Sequence, residues 1–228
     1  MKNLALMIAL LTVCVGCAKD PSKGVPKAQV IAEPAAQEVV KKNTAAKESQ
    51  TEKAAAGATP VIIELTGKIR FIGSKVTGSH YCDLTRSGGA LTLNGDDLTQ
   101  AAFSFEAETS AIHCDADSRD DWTPKLEEHL VSEDFFWSEK HPKASFKSTA
   151  IVANAKGGAT HQVTGDLSLR GITRKVTFLA TLAADAKGVS GRTEFSINRK
   201  DFGIEYAGKA DNLVRDNVVL KVSLSGTR

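Results

Sequence analysis

From residue 60 onward the apolar residues fall on alternate positions. Ile63, Leu65, Ile69 and Phe71 share one parity, while Glu64, Thr66, Lys68 and Arg70 share the other. A period of two places the two sets on opposite faces of an extended chain, so 61–71 reads as a half-buried β-strand. The pattern recurs at Leu91 and Leu93, at Phe103 and Phe105 against Ser104 and Glu106, and at Phe146 against Lys147. Further along, Val163, Leu167 and Leu169 oppose Thr164, Asp166 and Ser168, and Val176, Phe178, Ala180 and Leu182 fall together. Phe195 and Ile197 precede a last strand with Val218, Leu220, Val222 and Leu224 on one face. Glycine-rich turns at 88–89, 157–158 and 187–188 join these segments, which together predict an all-β domain. Antiparallel strands with one apolar face form either a two-sheet sandwich or a closed barrel. About eight strands favour the barrel, because closure removes exposed edges. Periodicity leaves open whether the interior is solid core or cavity.

One helix interrupts the strands. Thr123-Pro124 reads as an N-cap with proline at the first position, Glu127 supplies an acidic first turn, and Leu126 and Leu130 share a face. Phe135 and Phe136 follow. Such a helix suits the end of a barrel, and the outside of a sandwich would carry the same signature.

The first 59 residues differ in character. Lys2 precedes an apolar run over 4–15, too short for a membrane span of about 20 residues and suited to a signal peptide. The run ends Val13-Cys14-Val15-Gly16-Cys17. This resembles the lipobox of bacterial lipoproteins, which implies cleavage after Gly16, diacylation of Cys17 and membrane attachment through it. Cys14 stands where leucine is usual, and cleavage by an ordinary signal peptidase is the rival. Residues 18–59 contain no aromatic residue, and 22 of these 42 are Ala, Lys or Glu. Residues 17–59 thus read as a lipid-anchored flexible linker between a signal peptide at 1–16 and a domain at 60–228.

Charge adds an exclusion. The net charge of +2 is unevenly placed, since residues 60–228 hold 21 basic and 22 acidic residues. The folded part therefore lacks the basic footprint of a nucleic-acid binder.

If Cys17 carries lipid, Cys82 and Cys114 remain as a natural disulfide pair in an oxidising compartment. His80, Cys82, His113 and Cys114 are zinc-ligand types, but adjacent 113 and 114 would point to opposite faces of a strand. Asp115, Asp117 and Asp121 fit no EF-hand, because Asp120 and Leu126 occupy its glycine and glutamate positions. No metal is expected. Arg199 and Asp201, two apart, read as an ion pair at a strand end. The chain contains no GxSxG, HExxH or phosphate-loop pattern, which leaves hydrolase chemistry without named residues.

Three stretches resemble one family closely. Residues 129–149, running His129-Leu130-Val131-Ser132-Glu133-Asp134-Phe135-Phe136 and on through Pro142, Ala144 and Phe146 to Ser148-Thr149, resemble its HLxSxDFFxxxxxPxAxFxST region. Residues 163–176 resemble its VTGDLTxxGVTxPV stretch, and 197–203 its INRxDFG signature. The family is the YceI-like proteins of bacteria, usually periplasmic. The resemblance implies an extended antiparallel lipocalin-like barrel of about eight strands, with one short helix near its mouth. It also implies an apolar interior holding a polyisoprenoid, a quinone-like molecule or another amphiphilic lipid, with no cofactor required, in a binding protein that is not an enzyme.

On that resemblance the cavity wall is Ile69, Phe71, Phe103, Phe105, Phe146, Leu167, Leu169, Phe178, Leu182, Phe195 and Ile197, with Leu130, Phe135 and Phe136 near the mouth. The alternative is a structural or protein-interaction module of the envelope with a solid barrel. A homodimer is compatible with either. The expected location is extracytoplasmic, at the outer membrane and facing the periplasm in a host with two membranes, since Ala18 does not resemble the aspartate associated with inner-membrane retention.

Overall fold

The computed structural model of the chain describes residues 18–31 and 59–228. The signal peptide, Cys17 and the linker over 32–58 lie outside the described residues. The elements are β1 (Gln29–Ile31), β2 (Val61–Lys75), β3 (Gly78–Leu84), β4 (Ser87–Leu93), β5 (Ala102–Glu108), β6 (Ile112–Cys114), α1 (Thr123–Val131), β7 (Lys143–Ala153), β8 (His161–Leu169), β9 (Ile172–Asp185), β10 (Gly188–Asn198), β11 (Gly208–Lys209), β12 (Asn212–Leu213) and β13 (Asn217–Thr227).

Eight strands close a ring in the order β2, β4, β5, β7, β8, β9, β10, β13 and back to β2, each antiparallel to its neighbours. The predicted antiparallel barrel is therefore the observed fold. β2 divides one of its edges: 61–65 pair with β4 and 69–75 with β3, while β13 runs along the other edge over 66–72. Gly67 sits at the change of partner, with φ of 155°. A Cβ there would come within 2.0 Å of the Ser223 carbonyl oxygen, so glycine is required for the close strand approach.

The inward parity of the strands packs as expected from their alternation. At the end of the barrel where β2 begins, Ile63, Leu65, Leu91, Leu93, Leu98 and Val189 form a buried apolar plug. Gly165 on β8 lies beneath the Phe146 ring, where a Cβ would come within 2.3 Å of Cζ. The absence of a side chain lets that ring lie against the sheet.

Two local expectations are corrected. α1 begins at Thr123 rather than after it, with Trp122 at the N-cap position and Pro124 in the first turn. Asp120 caps the start instead, its Oδ1 accepting from the backbone N–H groups of Trp122 and Thr123 at 3.0 Å. Glu127 lies beyond the first turn and reaches sideways to the Cys114 N–H at 2.7 Å.

The larger correction concerns residues 18–31, expected to belong to the flexible linker. β1 pairs antiparallel with β9, Val30 opposite Val176. Immediately before it, the Ser196 N–H donates to the Pro26 carbonyl and the Ala28 N–H to the Ser196 carbonyl, both at 2.9 Å. Ala28 is 4% exposed and packs with Val176, Phe195, Ile197 and Phe202. The physical reason is a seam: β9 and β10 pair only over 181–185 and 188–192, and then diverge. Residues 26–31 fill that gap and satisfy edge groups of both strands.

Candidate functional site

The barrel encloses a cavity of about 240 Å³ with an apolar wall. Its apolar lining offers ordered water few polar partners. All fourteen residues assigned to the wall and mouth line it: Ile69, Phe71, Phe103, Phe105, Leu130, Phe135, Phe136, Phe146, Leu167, Leu169, Phe178, Leu182, Phe195 and Ile197. The solid-barrel interior of the alternative reading is thereby corrected.

An aromatic ladder runs along one side. Phe103 and Phe146 have ring centroids 5.3 Å apart, Phe146 and Phe178 5.6 Å, and Phe178 stacks on Phe195 at 4.4 Å and 8°. On the opposite side Phe136 meets Phe71 edge-on at 5.4 Å. Rings in these arrangements hold one another in place, so the wall is a preformed surface.

The hydrophobic plug seals one end of the cavity. At the other end the lining includes Phe135 from the turn after α1 and Val214 and Arg215 from the segment before β13, and we take this end as the mouth. α1 brings Leu130 into the wall, and the following turn presents Phe135. His129 packs edge-on against Phe135 at 5.0 Å and Tyr206 at 4.8 Å, and its Nε2 lies 2.7 Å from Asp134 Oδ2. The mouth thus pairs an apolar throat with a polar and aromatic rim, suited to an amphiphile with its tail inside and its head outside.

Alternation of strand residues did not reveal the part of the rim built from 199–215. Arg199 opens a short 3-10 turn rather than continuing the strand, and it is 3% exposed. Its guanidinium donates to the carbonyls of Ile204 at 2.6 Å and Arg215 at 3.2 Å, and to Asp216 Oδ1 at 3.2 Å. The expected pair with Asp201 does not form, because leaving the strand rotates the two side chains apart. The Asp201 carbonyl accepts from Arg174 instead, at 3.1 Å. Burial pushes the Arg199 pKa down, with Asp216 opposing, but a guanidinium remains charged at any physiological pH. Arg199 therefore acts as a clamp that draws the returning chain onto the rim. The turn residue Asn198, whose side chain caps the Lys200 N–H at 3.0 Å, is the sequence signal for this break.

Cys82 and Cys114 form a disulfide. They face each other across the β3–β6 pair and are buried, so neither is a zinc ligand. Beside them Asp115 Oδ2 lies 2.6 Å from His80 Nδ1, while Asp117 accepts from the Tyr81 hydroxyl at 2.8 Å. The acidic loop is tied to β3 by these contacts. Arg119 clasps Glu127, holding the carboxyl below its ordinary range against the effect of burial, with the Cys114 N–H adding to the hold.

Residues 58–225 match the YceI-like domain. Among curated relatives, a UPF0312 protein of Pseudomonas putida strain W619 is 35% identical over 133 residues, 55% of this chain and 66% of that protein. One from Pseudomonas fluorescens strain Pf-5 is 32% identical over 187 residues, covering 75% of this chain and 88% of its own length. Among solved structures, Burkholderia cenocepacia BcnA aligns with a TM-score of 0.58 at 19% identity, over 70% of this chain and 95% of its own. A polyisoprenoid-binding domain from Saccharophagus degradans aligns with a TM-score of 0.54 at 12% identity, over 72% and 97%. At these identities the structural matches establish the barrel. With an ordered, disulfide-stapled barrel, the three motif stretches around its mouth and a domain match over most of its length, the chain belongs to the YceI-like family.

Proposed function

We propose that the protein binds a long isoprenoid-type lipid, a polyprenyl chain or the tail of a quinone-like molecule, and carries it in the cell envelope without a covalent step. The observation that carries this reading is the cavity itself: an apolar throat, closed at one end, with an aromatic and charged rim at the other. A flexible apolar tail entering it gains roughly 25 cal/mol for each Å² withdrawn from water, while its polar head stays at the rim. The Saccharophagus degradans domain of the same fold, described as polyisoprenoid-binding, supports the choice of ligand class. The lipobox-like ending at Cys17 supports attachment to the membrane through an acylated cysteine, on the periplasmic side of the outer membrane in a host with two membranes.

Native mass spectrometry and solvent extraction of protein purified from its own host test the reading. A stoichiometric isoprenoid is expected. Protein that leaves its host empty and takes up no polyprenol or quinone from mixed micelles would overturn it.

A further inference from the structure

We infer that the lipid anchor and the cavity mouth lie side by side, so that the acylated protein presents its mouth directly to the bilayer surface. This rests on the reading of Cys17 as acylated. Two contacts fix the next residue of the chain, and a third fixes the arginine that holds it. The Ala18 N–H donates to the Val76 carbonyl at 3.0 Å, its carbonyl accepts from Arg215 Nη2 at 2.9 Å, and the Arg215 Nη1 holds the Lys75 carbonyl at 2.8 Å. Asp20 adds a carboxylate 3.8 Å from the Arg215 Nε. Arg215 itself lines the cavity. Consecutive Cα atoms are about 3.8 Å apart, so acyl chains on residue 17 leave the protein from the rim of the mouth.

The other end of the barrel is far away. β2 runs its 15 residues from the plug to the rim, which at the usual strand rise and tilt separates the two ends by about 35 Å. Had all of 18–59 been a free coil, its r.m.s. reach would be about 35 Å as well, and either end could face the membrane. Docking of 18–31 removes that freedom. Beside Ala18, the β11–β12 hairpin projects Leu213, which is 50% exposed and whose carbonyl accepts from the Val76 N–H at 3.2 Å. An apolar side chain at that place meets lipid when the anchor is inserted. The arrangement lets an isoprenoid tail pass from bilayer to cavity with little of it crossing water.

The test uses full-length protein, isolated from its host with the anchor in place and reconstituted into phosphatidylethanolamine–phosphatidylglycerol vesicles containing a photoactivatable phospholipid. After irradiation, mass spectrometry maps the cross-linked peptides and reads the mass of the N-terminal peptide. Cross-links are expected to be several-fold enriched on peptides carrying Val76 and Leu213 over those carrying Gly95 and Gly188 at the closed end. A second variant inserts a Gly/Ser stretch of about 20 residues between Cys17 and Ala18, about 25 Å of r.m.s. reach, leaving every barrel contact in place. It should flatten the enrichment and slow lipid uptake from the vesicles. An acylated protein that cross-links equally at both ends, or mainly at the closed end, overturns the orientation alone. An N-terminal peptide without acyl mass overturns the anchor reading and the orientation with it, leaving the cavity's ligand untouched.

Discussion

Substituting Phe178 with tryptophan separates a working cavity from ordinary core. Phe178 is half-buried, stacked on Phe195 at 4.4 Å and within 5.6 Å of Phe146. An indole at this position keeps its stack on Phe195, and its extra ring atoms project into the 240 Å³ space. In a filled core the same enlargement costs about 1–3 kcal/mol through displaced neighbours; here the space already exists, and the expected cost is below about 1 kcal/mol. The ligand bears the effect. Displacing half to all of one five-carbon isoprene unit, at about 0.8 kcal/mol per buried CH₂, forfeits about 2–4 kcal/mol, roughly 30- to 900-fold in Kd. Competition of a fluorescent polyprenol analogue gives the affinity, and urea unfolding gives the stability. A loss of more than 2 kcal/mol in stability, or an unchanged affinity at unchanged stability, would refute the assignment of this wall to the ligand.

Other consequences can be measured on the same protein. Arg199→Ala strands the buried Ile204 carbonyl and the part-buried Arg215 carbonyl, while the half-exposed Asp216 keeps Lys200, and should cost about 2–4 kcal/mol, a fall in Tm of roughly 4–16 °C for a domain of this size. Arg199→Lys should recover only part of this, and a loss under 1 kcal/mol in either variant would show that the clamp contributes little. Cys82→Ser opens a disulfide spanning 32 residues and should cost about 3–4 kcal/mol on the chain-entropy account; insensitivity of the wild-type urea midpoint to reductant would contradict it. Glu127 has a folded pKa below its unfolded value, so its stabilisation is present above the unfolded pKa and is lost as pH falls through the folded one. The stability gap between wild type and Glu127→Gln should therefore be full at pH 7 and close below about pH 4; a gap independent of pH would count against the Arg119–Glu127 clasp.

What the sequence disclosed and what it concealed have distinct physical causes. Inward parity is a local property, and the eleven strand residues assigned to the wall share it, whereas Leu130, Phe135 and Phe136 came with the resemblance alone. Val214, Arg215, Ile204 and Arg199 also line the cavity, but they lie in a chain that doubles back between two strands, where no periodicity applies. Their placement depends on hydrogen bonds such as Arg199 to the carbonyl of Ile204, which are fixed only in the folded protein. The docked N-terminal segment was hidden by its surroundings. Val30 and Ile31 are the kind of β-branched pair that forms a strand, yet they sit between Pro26 and Pro34 in an Ala-rich and Lys-rich stretch. So short a strand forms only because β9 and β10 offer it two edges.

Those edges mark where the ring of strands changes along the barrel. A barrel's width grows with the number of strands around it, and eight is near the number at which side chains alone fill the interior. Near the closed end the ring has its eight strands, and Ile63, Leu65, Leu91, Leu93, Leu98 and Val189 fill it. Toward the mouth the ring changes on both sides. Residues 26–31 enter between β9 and β10. On the other side β2 leaves β4 for β3, which carries β6 through the disulfide-linked pair, and Leu130, Phe135 and Phe136 supply wall beside it. The hollow thus borders the part of the barrel where the ring changes partners, with the disulfide-linked β3–β6 pair on one side and residues 26–31 on the other.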